Sequence, residues 1–223
     1  MLMISPAMED YIKVLYELQE SGEPAANSTI AEWLGIAPAS VTDMMKRLSK
    51  LELVDHARYY GAKLTPQGEK LALKLVRHHR LAELFLKEIL GVPWERVHME
   101  AHRLEHAISD DVADRMAALL DDPERDPHGR PIPSKSGRVD RRKYKKLSEM
   151  NPGKTAMVAS VDDEDPELLG YLAAVGLYPD ARVEVLGREP FGGPLRVRVQ
   201  GIERSLGIEA APHVRVIPIS EYK

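Results

Sequence analysis

The chain contains no cysteine and few aromatic residues, which make up 5% of its 223 positions. Without cysteine it can form neither a disulfide framework nor a thiolate metal site, and this composition is typical of a cytoplasmic protein. Charged side chains interrupt every apolar run before it reaches the length that spans a bilayer, and the first residues lack the basic and apolar pattern of a secretory signal. We therefore expect a soluble cytoplasmic protein with no membrane partner, long enough for two domains.

The chain also lacks an excess of positive charge, because its 35 acidic residues outnumber its 31 lysines and arginines and the formal net charge is −4. A nucleic-acid-binding surface over the whole protein is therefore not expected. The basic side chains within residues 1–72 nevertheless lie between positions 46 and 70, with the single exception of Lys13. This distribution predicts one local basic patch on a mildly acidic body.

Three short helices are predicted at the start of the chain. Pro6 is typical of a first helical position, and Pro38 begins the third helix in the same way. Thr29 and Glu32 have the spacing of a capping box at the start of the second helix, which Gly35 ends. Such a short connection between the second and third helices indicates a helix-turn-helix.

Two short strands at 53–57 and 62–65, joined by a basic and aromatic turn at 58–61, complete the pattern of a winged helix-turn-helix. The alternative is an ordinary core helix with a solvated charged face, but the order of elements favours DNA docking. In that motif the third helix enters the major groove, where small side chains read bases and basic ones contact phosphates. The predicted DNA-binding residues are Ala39, Ser40, Thr42, Asp43, Lys46, Arg47, Lys50 and Arg58.

Histidines and carboxylates are concentrated in the middle of the chain, where five of the eight histidines lie between positions 78 and 106. On a single helix over 93–107, four of these side chains would share one narrow arc, and a second pair has i, i+4 spacing on an earlier helix. Imidazole and carboxylate without sulfur favour a divalent cation held by nitrogen and oxygen. The alternative is a solvated polar face with salt bridges. The first set is His98, His102, Glu105 and His106, and the second is His79 and Glu83.

Two other functions remain open at this point. The run from His102 to His106 matches the H-x-x-E-H signature of zinc proteases, with Glu105 as general base, so a zinc-dependent hydrolase is the alternative. Such enzymes need a large catalytic domain, whereas this run follows a winged helix, and we therefore expect no enzyme. A regulator that senses an organic ligand would need an apolar pocket that the sequence does not identify.

Several separate segments resemble one family, the metal-dependent repressors of the diphtheria toxin repressor and manganese transport regulator type. These segments are 8–12, the winged helix, 77–83, 105–106 and 128–133, and they occur in the family's order over nearly the whole chain. The resemblance implies a mainly α N-terminal part followed by a small SH3-like β-barrel. The implied domains are a winged helix-turn-helix DNA-binding domain at 1–72, a helical metal-binding and dimerisation domain at 73–122, a proline-rich and basic linker at 123–152, and a FeoA-type barrel at 153–223.

The same resemblance implies a function and its partners. Members of the family repress transcription as homodimers that bind palindromic double-stranded operators when Mn(II) or Fe(II) is bound, and they control metal homeostasis. No organic substrate is implied.

The resemblance also implies two metal sites. The first comprises Asp10, His102, Glu105 and His106, while the second comprises His79, Glu83 and His98, completed by Asp165 and Glu167 from the C-terminal domain. Iron-type members have Met where Asp10 stands and Cys where His102 stands. Manganese-type members have Glu at the positions of His102 and Lys13, so their binuclear arrangement is not expected here. The hard oxygen of Asp10 favours Mn(II) over Fe(II), and we expect Zn(II), Co(II), Ni(II) and Cd(II) to bind in vitro.

Overall fold

The computed structural model describes residues 4–22, 24–57 and 61–219. The chain divides into two compact units. The first contains the residues up to His79 together with 105–110 and 133–138, and the second contains 80–104, 111–132 and the residues from Val139 onward. Within the described ranges, no helix has both the length and the apolar character needed to cross a bilayer.

The first unit contains a winged helix-turn-helix, as the sequence predicts. Three helices precede an antiparallel hairpin, in which Val54 pairs with Leu64 and Ala57 with Gly61. The side chains of Ile12, Leu15 and Met45 are fully buried at its centre. The elements are α1 (Pro6–Ser21), α2 (Asn27–Leu34), α3 (Pro38–Lys50), β1 (Val54–Ala57), β2 (Gly61–Leu64) and the start of α4 (Pro66–Glu88).

The predicted capping box at the start of α2 is wrong. The helix begins at Asn27 and has no side-chain cap, so Thr29 already lies inside its first turn. The Asn27 amide instead donates a hydrogen bond of 2.9 Å to the hydroxyl of Thr42. This bond links the first turn of α2 to the side of α3 that carries Thr42.

The helix predicted over 93–107 is not continuous. A 3-10 turn at Trp94–Arg96 leads into α5 (Val97–Leu104), and a second 3-10 turn covers Glu105–Ala107 before α6 (Asp110–Leu119). Because a 3-10 turn has three residues per turn and not 3.6, the predicted narrow arc of four ligands on one helix is wrong. His98 and His102 lie on α5, whereas Glu105 and His106 lie on the turn after it.

The C-terminal part of the second unit is a six-stranded antiparallel sheet with the strand order β3-β8-β4-β5-β6-β7. Register shifts between Val158 and Ser160, and between Val185 and Gly187, interrupt the ladders in the way that bends a sheet toward closure. The expected small SH3-like domain is confirmed. Its elements are β3 (Lys145–Lys146), β4 (Lys154–Val161), α7 (Pro166–Val175), β5 (Arg182–Arg188), β6 (Leu195–Val199), β7 (Ile202–Leu206) and β8 (Val214–Pro218).

The start of the predicted linker is folded. Asp126 accepts hydrogen bonds from the backbone of His128 and Arg130, and the His128 side chain is fully buried. Gly129 has φ +86°, and a Cβ there would lie 2.2 Å from the carbonyl oxygen of Ala159. This loop therefore packs tightly against β4, a contact that its proline, glycine and charge content did not predict.

Candidate metal centres

The first cluster of metal-ligating groups lies in the first unit. Asp10 comes from α1, while Glu105 and His106 come from the 3-10 turn, and their ligand atoms lie within 4.8 Å of one another. His106 Nε2 is 3.0 Å from Asp10 Oδ1 and 3.7 Å from Glu105 Oε1. Asp10 Oδ1 is buried and makes no hydrogen bond. We call these three residues the α1 cluster.

The imidazole of His106 is oriented by a neighbour of Asp10. Its Nδ1 atom lies 2.6 Å from Glu9 Oε2. A carboxylate on one ring nitrogen fixes the proton there and leaves the lone pair on the other, as is common for metal-ligating histidines. The lone pair on Nε2 therefore faces Asp10 and Glu105, which is the arrangement that a divalent cation requires.

The carboxylate of Glu105 also contacts two further residues of the same unit, Lys13 and His79. Its side chain is 1% exposed, and both carboxylate oxygens lie 2.7 Å from Lys13 Nζ. His79 Nδ1 lies 2.7 Å from Oε2. The structure therefore places His79 against Glu105, whereas the sequence grouped it with Glu83 and His98, and that grouping stays a prediction. The exposed His102 on α5 likewise stays a predicted ligand.

A second cluster lies within the second unit and is almost completely buried. Ligand atoms of Glu83, Asp126, His128 and Asp163 lie within 4.8 Å of one another, and the residues are 0 to 5% exposed. His128 Nδ1 is 3.8 Å from Glu83 Oε1 and 3.6 Å from Asp163 Oδ2. His98 adjoins this group, with its Nδ1 at 3.0 Å from Glu83 Oε1. We call the four buried residues the buried cluster.

The three carboxylates of the buried cluster lie close together, and the nearby cations neutralise their negative charge only in part. Arg130 Nη1 is 3.3 Å from Asp163 Oδ1, and Arg80 Nε is 3.6 Å from Asp126 Oδ2. Neither of these oxygens makes a hydrogen bond, and neither does His128 Nδ1. Buried polar atoms without partners are costly. A cation among them would satisfy all three.

The same excess of negative charge shifts the pKa values of the cluster. Burial opposes the charged imidazole of His128, but the Glu83 carboxylate, followed by those of Asp163 and Asp126, raises its pKa to about 9. Burial, followed by the charge of Glu83, raises the pKa of Asp126 to about 6. The site therefore favours an added positive charge, either as a proton or as a metal ion.

The donor set of the buried cluster fits Mn(II) or Fe(II). It offers carboxylate oxygen and imidazole nitrogen, and no sulfur. His128 Nε2 lies 3.3 Å from the carbonyl oxygen of Trp94, which leaves Nδ1 for the ligand position. The indole N–H of Trp94 in turn donates a hydrogen bond of 2.8 Å to the carbonyl oxygen of Pro127. Trp94 and the loop are therefore linked by hydrogen bonds in both directions.

The predicted acidic ligands of the C-terminal domain need correction. Asp165 is the N-cap of α7, where its side chain accepts hydrogen bonds from the backbone of Glu167 and Leu168. Among the described residues, neither Asp165 nor Glu167 joins a group of metal-ligating side chains. Asp163, two residues earlier, is the carboxylate of this segment that lies in the buried cluster. The N-cap position holds Asp165 to the helix end and away from the cluster.

Asp126, His128 and Asp163 were not predicted as ligands. The available signal was Asp126 and His128, two positions apart in the Gly- and Pro-rich segment, where His128 begins a stretch that already resembles the family. We interpreted that segment as linker, and a linker gives no reason to expect buried ligands.

The DNA-binding residues predicted on α3 lie mostly on its exposed side. Thr42 is half-buried and bonded to Asn27, and Asp43 pairs with Lys46 at 3.1 Å. Arg58 lies outside the described residues. The exposed members are Ala39, Ser40, Asp43, Lys46, Arg47 and Lys50.

Comparison with known proteins identifies the family. The chain matches the models described as "Iron dependent repressor, N-terminal DNA binding domain" over residues 3–62 and "Iron dependent repressor, metal binding and dimerisation domain" over 65–134, and a FeoA domain over 145–218. It is 32% identical over 221 residues to the iron-dependent repressor IdeR of Mycobacterium tuberculosis, covering 93% of this chain and 95% of the relative. The chain belongs to the iron-dependent repressor family.

Other transcriptional regulators and repressors are also similar to this chain. The regulator MntR of Oceanobacillus iheyensis is 42% identical over 118 residues, which cover 53% of this chain and 80% of the relative. A solved structure described as a manganese-dependent transcriptional repressor in complex with manganese is 38% identical, with a TM-score of 0.89 over 95% of this chain and 100% of that chain. ScaR with bound Cd²⁺ is 36% identical, with a TM-score of 0.82 over 95% and 99%.

These similarities do not support the hydrolase alternative, because the relatives are described as transcriptional repressors or regulators. The geometry also disagrees with it. Glu105, the supposed general base, is buried against Lys13 and His79.

Proposed function

We propose that this chain represses transcription as a homodimer that binds palindromic operator DNA when Mn(II) is bound, and that it thereby controls metal homeostasis. One observation carries the proposal. The unit that presents the exposed side of α3 also contains the α1 cluster, and one ligand of that cluster, Asp10, lies on α1 of the winged helix-turn-helix domain itself.

The residues of the α1 cluster suggest how metal and DNA binding are coupled. A divalent cation supplies two positive charges and would be held by Asp10, Glu105 and His106, with the predicted His102 as a further ligand. These ligands join α1 to the turn at 105–107. Because α1 packs against α2, and α2 is bonded to α3 through Asn27 and Thr42, a change in α1 can reach the DNA-reading helix. The cation shifts the equilibrium only by its difference in affinity for the two arrangements.

We propose the buried cluster as the second metal site of this repressor. It supplies oxygen and nitrogen ligands from Glu83, Asp126, His128 and Asp163, with His98 beside them. Oxygen-rich coordination without sulfur suits Mn(II), and Fe(II) is the second candidate. Relatives are described with manganese, iron, cadmium and zinc. We expect Zn(II), Co(II), Ni(II) and Cd(II) to bind in vitro.

Dimerisation is proposed from the matched model for metal binding and dimerisation over residues 65–134. Helix-turn-helix dimers place their two reading helices about 34 Å apart, so that they enter successive major grooves. A homodimer would therefore read a palindromic operator.

Metal-dependent operator binding can be tested by gel-shift titration of genomic fragments with Mn(II), Fe(II), Zn(II) or a chelator. We expect retarded complexes with Mn(II), their loss on chelation, and their return when Mn(II) is added again. Equal affinity with and without chelator would contradict metal dependence even if DNA binding were observed.

The exposed lysine of α3 provides a second test of the DNA interface. Lys46→Ala is expected to weaken binding to all sequences similarly and to lower the slope of log affinity against log salt by about one, because one phosphate contact is lost. The ion pair with Asp43 does not change this expectation, because both side chains are exposed. Lys87→Ala, which removes an equal charge from the last turn of α4, is the matched control. An unchanged salt slope for Lys46→Ala would remove that side chain from the interface.

A further inference from the structure

A run of basic residues leads into the sheet of the second unit. Five of the eight residues from 139 to 146 are lysine or arginine, although the whole chain has a formal net charge of −4. All five are exposed, and none belongs to a metal centre or to α3. We call them the basic segment, which consists of Arg141, Arg142, Lys143, Lys145 and Lys146.

The backbone of the basic segment is part of the folded domain. Lys145 and Lys146 form β3, which pairs with β8 at one edge of the sheet. Just before β3, the hydroxyl of Tyr144 accepts a hydrogen bond of 3.3 Å from Arg125, and just after it the side chain of Leu147 is fully buried. The fold therefore holds these cations together on one surface.

Carboxylates neutralise only part of the charge of the basic segment. Asp140 pairs with Arg142, with its Oδ2 2.5 Å from Nη2. Among the residues that the structure describes, no carboxylate forms an ion pair with the three lysines of the segment. Lys146 lies directly opposite Arg215 in the β3–β8 ladder, and Arg215 Nη2 is 3.6 Å from Asp162 Oδ1. Like charges opposite each other destabilise a sheet, and a bound anion would relieve their repulsion.

The simplest alternative role for the lysines is protection of the sheet edge, since lysine keeps exposed edge strands from pairing with other chains. That role accounts for the two lysines of β3, but not for Arg141, Arg142 and Lys143, which precede the strand. A continuous row of cations fits a polyanion better. Duplex DNA carries one negative charge per about 1.7 Å of its axis, and lysine and arginine bind it through its phosphates.

We propose that the basic segment binds the phosphate backbone of duplex DNA beside the operator. Its contacts are independent of base sequence and add affinity to the base contacts of α3. The inference rests on the proposed function, in which the chain binds operator DNA, and adds a DNA-contacting surface in the second unit.

The test compares the full Mn(II)-loaded chain with a triple variant that carries Lys143→Gln, Lys145→Gln and Lys146→Gln. Each is titrated over a salt series against two duplexes. One is the operator fragment identified by gel shift and trimmed to its palindrome, and the other is the same fragment extended by about two helical turns on each side.

The parent is expected to bind the extended duplex more tightly than the trimmed one, by about tenfold or more at low salt. The triple variant should lose this difference. Its slope of log affinity against log salt on the extended duplex should fall by about one for each lysine that contacts a phosphate. On the trimmed duplex, the variant and the parent should bind similarly.

A matched control removes the same charge from the same domain. Lys154→Gln, Arg182→Gln and Arg204→Gln change exposed side chains outside the basic segment and should leave both affinities as in the parent. Circular dichroism checks folding. The triple variant should be at least as stable as the parent, because the repulsion between Lys146 and Arg215 is removed.

The possible failures are distinguishable. Equal salt slopes of the parent and the triple variant on the extended duplex, or an equal loss in the control, would overturn the inference and leave Mn(II)-dependent operator binding intact. Self-association of the triple variant with unchanged DNA affinity would assign the lysines to edge protection and would also overturn it. If the triple variant fails to fold, Lys143→Gln alone, outside β3, should still lower the slope by about one. A parent that binds neither duplex with Mn(II) would overturn the proposed function together with this inference.

Discussion

Asp10→Ala is expected to lose most of the metal-stimulated affinity for operator DNA, a reduction on the order of 10- to 100-fold. Asp10 is the member of the α1 cluster that lies on a helix of the winged helix-turn-helix domain, with its Oδ1 3.0 Å from His106 Nε2. Glu105 and His106 remain in the variant, so weakened Mn(II) binding should persist. Sensing would then be uncoupled from the DNA response.

Calorimetry of Mn(II) binding beside operator titration separates these two effects. Glu20→Ala is a suitable control, because it removes an exposed carboxylate from the end of the same helix. Asp10→Met replaces a hard oxygen by a soft thioether and should favour Fe(II) over Mn(II) relative to the parent. Full Mn(II) activation of Asp10→Ala would exclude the proposed connection between α1 and the turn at 105–107.

Asp163→Asn is expected to lose one bound Mn(II) per chain. The substitution keeps the size of a side chain that is 1% exposed but removes its negative charge, and a neutral amide is a weaker ligand. Asp163 also faces His128, His98 and Arg130. In the variant, each of these three basic side chains loses a neighbouring carboxylate. Burial opposes the charge of Asp163, but Arg130 holds its pKa below the usual value, so the folded state favours this carboxylate and we expect the variant to be less stable in the absence of metal as well.

Asp165→Asn is the matched control, because it makes the same change two residues away at the N-cap of α7. Asparagine is itself a good N-cap, so its stability should change by a few tenths of a kcal/mol at most. Its Mn(II) count should equal that of the parent. Counting metal after dialysis, with circular dichroism to confirm folding, checks both variants. The buried cluster is not a metal site if Asp163→Asn keeps the full count.

The sequence by itself determined the features that depend only on residues close together in the chain. Proline at the start of α1 and α3 and glycine after α1 and α2 bound these helices, because proline fixes φ and glycine adopts positive φ at little cost. The adjacent members of the α1 cluster, Glu105 and His106, were predicted together for a similar reason, since short spacing keeps them together in any local conformation. The order of such local signals was sufficient for the winged helix and for the family.

Only the tertiary structure decided which distant groups meet. Glu83, His128 and Asp163 are separated by dozens of residues in the chain, and nothing in their local sequence records that they converge. The contact of Lys13 with Glu105 joins α1 to a turn 92 positions later. Burial, unpartnered polar atoms and the shift of the His128 pKa arise from packing, so they do not exist until the chain is folded. The composition of 123–152 indicated a linker, but it did not indicate that Asp126 and His128 within that segment would join the buried cluster.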